Sequence, residues 1–220
     1  MPRPAILGIV LRALADLLLP CRCGGCGTPG ELLCPACRPE QPIRVPGCPV
    51  AVVAAGRYAG GLRTAVLRYK ERGRHDLAAP LGALLAGAAA GFMAPGTVLV
   101  PVPSSRAAVR RRGGDHAQRL ARVAGRRLGV PIVPALRLVR AVRDSAGLGL
   151  TERQANLAHA MVARPASPGT AAVIVDDIVT SGATLAESVR ALHSAGWPVT
   201  AAAVVAVTPR RPTTPATPRR

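Results

Sequence analysis

The sequence predicts an α/β domain: a parallel sheet covered by helices on both faces, with a small cysteine-bearing module ahead of it. Three observations lead there. Apolar runs alternate along the chain with stretches of helical periodicity. The runs are continuous rather than alternating, as strands buried on both faces require. One of them, residues 173–175, passes straight into paired acids, a loop of small residues and a helix. Open parallel sheets hold ligands in that layout, beyond the carboxyl ends of strands.

Four regions follow from composition. In residues 1–19, Leu7, Val10, Leu11, Leu14, Leu17 and Leu18 recur at helical spacing. Arg12 and Asp16 interrupt the apolar run, and no small-residue cleavage site follows. It therefore reads as an amphipathic helix packed on the body, not as a secretory signal or a membrane span. The expected location is the cytoplasm. Residues 20–48 are rich in Cys and Pro. Residues 50–208 carry the α/β pattern. Residues 209–220 are Pro, Thr, Ala and Arg, which bury no core and read as a disordered basic tail.

Within the large region, residues 50–55, 97–102, 171–175 and 200–207 read as strands. Residues 61–69, 76–90, 115–128, 151–158 and 184–194 read as helices, and 130–134 as a short extended piece. The 151–158 helix opens on Thr-Glu-Arg-Gln, a capping pattern. The aromatic residues Tyr58, Tyr69, Phe92 and Trp197 are too few and scattered for a base-stacking platform. The core must therefore be aliphatic. Lys and Arg together number 29 against 11 acids, a net charge of +18. Such a balance attracts polyanions, although an Arg- and Ala-rich composition accounts for it equally well. Lys70 is the only lysine.

All six cysteines lie between Cys21 and Cys48. That clustering favours a metal site in a reducing compartment over a disulfide framework. Cys23–Cys26 and Cys34–Cys37 are two Cys-x-x-Cys knuckles, the set a tetrahedral structural zinc requires. Cys21 makes only Cys-x-Cys spacing and ranks below these four, and Cys48 lies outside the pattern.

The chemistry concentrates at Asp176-Asp177-Ile178-Val179-Thr180-Ser181-Gly182-Ala183-Thr184. Thr180, Ser181 and Thr184 offer hydroxyls, and Gly182 and Ala183 let the backbone approach a ligand. The following helix adds free N–H groups and the positive end of its dipole. That loop suits a phosphate dianion. Asp176 and Asp177 would repel one, and suit hydroxyl donors or a hydrated divalent cation beside it. The residues alone give a phosphate plus a diol or metal, with a receiver-type phosphate site as the alternative. Ser104, Ser105 and Arg106 follow a Pro-stiffened strand end, where they offer donors for a second anion or serve packing only. The run Arg110-Arg111-Arg112-Gly113-Gly114-Asp115-His116 reads as a mobile basic loop, a lid or a solvated charge run, with Asp115 capping the next helix. His116 at a helix start is either an acid–base group or, more commonly, a surface residue.

Residues 173–187 resemble the 5-phosphoribosyl diphosphate (PRPP) motif of type I phosphoribosyltransferases, with hydrophobic strand, paired acids, Thr-Ser-Gly and Ala-Thr in the same order. The resemblance implies that Asp176 and Asp177 contact ribose hydroxyls with Mg²⁺, and that residues 180–184 cradle the 5-phosphate. From Pro20 to Val207 the order of landmarks resembles the ComF family, which joins a zinc finger to such a domain. The landmarks are Tyr69-Lys70-Glu71-Arg72-Gly73, Val100-Pro101-Val102-Pro103, Arg111-Arg112-Gly113, Leu148 with Arg153 and Asn156, and the PRPP loop. Lys70 then joins Ser104, Ser105, Arg106 and Arg112 at the pyrophosphate end. The commoner Arg-Gly-Phe-Asn-Gln is replaced here by Arg112-Gly113-Gly114-Asp115-His116. Two functions follow from the resemblance. One is phosphoribosyl transfer from PRPP, or binding of a related ribose phosphate, with no catalytic residue or acceptor legible. The other is a DNA-uptake adaptor that touches single-stranded DNA and a helicase or competence partner.

Overall fold

The computed structural model describes residues 21–140 and 150–208. The 1–19 helix, the polar stretch at 144–148, the side chains of Arg153 and Gln154, and the 209–220 tail lie outside the described residues. The elements are β1 (Ile43–Arg44), β2 (Ala51–Arg57), α1 (Gly60–Glu71), α2 (Ala78–Ala89), β3 (Thr97–Pro101), α3 (Arg106–Arg112), α4 (His116–Leu128), β4 (Leu136–Leu138), α5 (Leu150–Leu157), β5 (Met161–Ala163), β6 (Ala171–Val179), α6 (Ala183–Ser194) and β7 (Val199–Val207).

The main sheet runs β1-β2-β7-β6-β3. β2, β7, β6 and β3 are mutually parallel, and β1 pairs antiparallel on the β2 edge. Each central strand divides its side chains between two cores. Val173, Val175, Ala201, Ala203 and Val205 join Leu62, Leu81, Leu85 and Leu120 of α1, α2 and α4 on one face. Ala172, Ile174, Ala202 and Val204 join Leu185, Val189 and Leu192 of α6 on the other. With so few aromatic residues, packing depends on close approach. A Cβ added at Gly82 of α2 would lie 2.5 Å from Val123 Cβ of α4, so the glycine lets the two helices touch. No helix among the described residues is long and apolar enough to cross a membrane.

Three local differences from the sequence expectation matter for the site. β6 does not stop at residue 175 but continues to Val179. Its neighbour β7 pairs with it that far, through Asp176↔Val204, Ile178↔Ala206 and Val179↔Val207, so the ladder carries two acids that propensity would exclude. Arg110, Arg111 and Arg112 are not loop but the last turn of α3. Arginine is a good helix former, Ser105 caps the start by accepting from the Ala108 N–H at 3.2 Å, and Gly113 at φ 68° closes the end. Finally, β4 and β5 form a separate two-stranded antiparallel sheet, with α5 between them in the chain, that the sequence did not announce.

That small sheet is clamped to α6 by a buried charge. Glu187 accepts from the Met161 N–H at 2.9 Å and from Arg190 Nε at 2.8 Å, while Arg190 Nη2 donates to the Met161 carbonyl at 2.8 Å. Burial works against the Glu187 carboxylate, but the bonds from Arg190 and Met161 outweigh it and hold its pKa below the usual range. Glu187→Ala should lower stability by about 1–3 kcal/mol, because the Met161 N–H loses its buried acceptor. Chemical denaturation with an unchanged m-value checks this.

Candidate functional site

The loops that follow β6 and β3 open on the same edge of the sheet. Pro101 lies in register with Val175, and the Val102 N–H donates to the Val175 carbonyl at 3.0 Å. Asp176 and Asp177 are therefore the last polar residues of β6 beside the start of the Ser104 loop. Asp177 is buried and Asp176 half-buried. The Asp177 N–H donates to Asp176 Oδ1 at 2.8 Å. Lys70, in the last turn of α1, places Nζ 3.2 Å from Oδ1 and 3.0 Å from Oδ2 of Asp177.

The electrostatics follow from this pairing. Burial and the adjacent Asp177 charge push the Asp176 carboxyl well above the usual range. Burial pulls the Lys70 ammonium down, but attraction to Asp177 and Asp176 wins and raises it, so Lys70 is charged at neutral pH. A lone ammonium against two adjacent carboxylates fits the compact charge of lysine better than the fork of arginine.

Beyond β6, Gly182 adopts φ 82° and caps α6, a left-handed conformation that suits glycine. Thr180 is exposed, Ser181, Gly182 and Thr184 are half-buried, and Ala183 is buried. Ser181 Oγ accepts from the Ala183 N–H at 3.3 Å. Sequence reasoning did not connect Cys48 with this turn, yet a Cβ at Gly182 would lie 3.3 Å from its sulfur.

The remaining candidates divide. Ser104 is drawn in by its N–H, which donates to Asp115 Oδ2 at 2.9 Å. Asp115 also caps α4 by accepting from the Gln118 N–H at 3.1 Å. Ser105 is engaged as the α3 cap, and Arg106 is exposed on the first turn of that helix. Arg112 joins the Lys70 neighbourhood through Glu71, Nη2 to Oε1 at 2.5 Å. Sequence reasoning missed Glu71 as a partner, although it sits inside the quoted Tyr69–Gly73 landmark. It also misplaced His116, which is 1% exposed. The His116 backbone carbonyl accepts from Tyr69 Oη at 3.0 Å, and the two rings meet edge to face at 4.8 Å. Among the described residues, neither ring nitrogen of His116 has a hydrogen-bond partner, and nor does the buried Nε of Arg112. Burial, then the Arg112 charge, lowers the His116 pKa and keeps the ring neutral.

The four knuckle cysteines form a second cluster. The Sγ atoms of Cys23, Cys26, Cys34 and Cys37 all lie within 4.8 Å of one another. Sulfurs about 2.3 Å from a common zinc stand about 3.8 Å apart, so the cluster fits that ion with little adjustment. The N–H groups of Gly25 and Cys34 already point at Cys23 Sγ, at 3.3 and 3.4 Å. Burial opposes the Cys23 thiolate, but the backbone N–H groups of Cys34, Cys26 and Gly25 lower its pKa to about 6. Cys37 is pushed up to about 12 by burial and by the neighbouring sulfurs.

Opposite-sign effects of two substitutions test the acid–lysine geometry. Lys70→Met leaves two adjacent carboxylates uncompensated and should cost about 2–3 kcal/mol, discounted for the partial exposure of the pair. Asp176→Asn should raise Tm at pH 8, since it removes an ionisation that folding disfavours. The sign follows from the raised carboxyl: wild type loses stability as pH climbs through the folded pKa, and the variant does not. The advantage should vanish toward pH 3, where Asp176 is protonated folded and unfolded. Scanning calorimetry across that range reads it.

Among solved structures the chain is similar to UMP synthase of Leishmania donovani, with 16% identity and a TM-score of 0.39, over 64% of this chain and 24% of that one. The chain thus spans about a quarter of that protein's length. No curated protein matches it. Residues 107–218, just over half of the 220-residue chain, match the phosphoribosyl transferase domain. That span includes the whole acid, loop and helix segment at the end of β6, and the chain belongs to the phosphoribosyl transferase domain family.

Proposed function

We propose that the protein binds PRPP with Mg²⁺ at the carboxyl edge of the sheet and transfers the 5-phosphoribosyl group to an acceptor, releasing pyrophosphate. The observation that carries this is the run from the β6 acids through the Gly182 turn into α6, with Lys70 held on Asp177. Residues Thr180, Ser181, Gly182, Ala183 and Thr184 would hold the 5-phosphate with backbone N–H groups and hydroxyls. Asp176 and Asp177 would take the ribose hydroxyls and face the metal. Ser104, Ser105, Arg106, Lys70 and Arg112 would form the pyrophosphate end.

In the transfer, the bond from ribose C1 to pyrophosphate oxygen breaks, and its electron pair leaves with the pyrophosphate. An acceptor lone pair forms the new bond to C1, and the acceptor's proton passes to solvent. When bound, Mg²⁺ supplies neutralising charge at the leaving group. The chain's own work is to position the phosphates and stabilise that charge with fixed donors. Lys70 and Arg112 are engaged with Asp177 and Glu71. Ligand anions would take these cations over by exchange.

The four thiolates of Cys23, Cys26, Cys34 and Cys37 would hold a structural zinc, since four protein ligands leave no open position. The finer ComF-like identity rests on the order of landmarks between residues 20 and 207, and a role beside single-stranded DNA or a helicase belongs to that resemblance.

Calorimetric titration with PRPP and Mg²⁺ tests the site. Wild type should bind, and the Asp176→Asn/Asp177→Asn double variant should bind at least about 100-fold more weakly, the loss of two charge-assisted hydrogen bonds. Equal affinities would remove the acids from the site.

A further inference from the structure

The cysteine module is built into the wall of the larger domain. Cys23, Leu33 and Cys37 share one buried cluster with Leu62, Val66 and Tyr69 of α1. Both knuckles meet the amino end of that helix, and the first is also tied to its carboxyl end. At its carboxyl end, Arg68 Nη1 donates to the carbonyls of Cys23 at 3.3 Å and Gly24 at 3.0 Å. Just beyond, Arg74 Nη2 donates to the Arg22 carbonyl at 3.1 Å. At the amino end, Cys37 lies so close that a Cβ on Gly61 would overlap its sulfur. Gly25 fills the angle between the knuckles: its added Cβ would lie 2.6 Å from Cys37 Sγ and 2.8 Å from the Gly61 carbonyl oxygen.

The last turn of α1 is also the turn that builds the ribose-phosphate site. Tyr69 bonds the His116 carbonyl, Lys70 pairs with Asp177, and Glu71 pairs with Arg112. Arg68 is two residues before Lys70. A continuous path therefore runs from the Cys23–Gly24 carbonyls, through Arg68 and one helical turn, to the acids of β6.

We propose that the four-cysteine module is the positioning element of the PRPP site. A thiophilic divalent cation on the four thiolates joins the two knuckles, fixes both ends of α1, and so fixes where Lys70 meets Asp177. Metal binding and PRPP binding are then positively linked, and Arg68 is the positioning residue that carries the linkage. Without the cation, a module with so little apolar surface loses the source of its folding free energy. Linkage is reciprocal, so PRPP must hold the metal more tightly by the factor by which the metal tightens PRPP. This inference rests on the PRPP reading above.

The test uses the full chain, zinc-loaded and after exhaustive dialysis against a chelator followed by excess Mg²⁺. Amide hydrogen exchange is followed in Gly60–Glu71 and in β6 and β7, and PRPP affinity by calorimetry. Metal removal should speed exchange in α1, leave β6 and β7 protected, and weaken PRPP by about tenfold, a typical size for coupling between sites. Arg68→Met should keep its zinc, measured by elemental analysis, yet bind PRPP with the same weakened affinity in both metal states. Exchange in α1 that ignores the metal would overturn the inference whatever PRPP does. Loss of protection throughout β6 and β7 would overturn it too, because the metal would then hold the whole fold. Loaded protein that fails to bind PRPP, while α1 still responds to metal, would count against the PRPP reading and for the grip of the module on α1.

Discussion

The pairing of Lys70 with Asp177 is the contact around which the site is arranged. Two adjacent carboxylates at the end of a buried strand are costly to ionise together. A single ammonium, bonded to both oxygens of one of them, makes the arrangement tolerable. To deliver that ammonium, α1 must end at one particular place against the sheet. Much of the surrounding architecture serves that requirement. Tyr69 anchors the turn to α4, Glu71 anchors it to α3, and Arg68 anchors it to the first cysteine knuckle.

The same contacts give the site its character. Two of its acids are paired with its cations, Asp177 with Lys70 and Glu71 with Arg112. A phosphorylated ligand would enter by exchanging partners, which leaves the net cost of binding smaller than for bare charges stripped of water. The buried ring of His116 is different, a neutral imidazole that feels the charges of Lys70, Arg112, Arg119 and Asp177 and has no hydrogen-bond partner among the described residues. Its neutrality is consistent with so many cations nearby, since a further positive charge there would be repelled.

The sheet, its parallel sense and the small-residue turn ahead of α6 were legible in the sequence because each is a local pattern. Continuous apolar runs mark buried strands, and Thr180–Gly182 sits between a strand and a helix whatever packs on them. What stayed hidden depended on partners distant in sequence. β6 runs past its acids because β7 continues beside it. The Arg110–Arg112 run is helical because Ser105 and Gly113 cap a turn that looked like a lid. His116 looked like a surface residue because its burial comes from Tyr69, 47 positions earlier. The cysteine spacing announced the cluster of four sulfurs, but spacing alone carries no sign of the helix that Cys37 presses against at Gly61. Lys70 was conspicuous as the only lysine, and a pyrophosphate contact was the expectation; its partner Asp177, 107 residues later, needed the fold.

That solitary lysine permits a direct measurement of the central claim. Protein labelled with ¹⁵N-lysine carries one side-chain ammonium resonance, that of Lys70. In ligand-free protein the Asp177 pairing should slow proton exchange enough to make the signal visible, and Asp177→Asn should abolish it. Saturating PRPP with Mg²⁺ should move the resonance as the ammonium changes partner. A resonance that is indifferent both to Asp177→Asn and to saturating PRPP with Mg²⁺ would contradict the account.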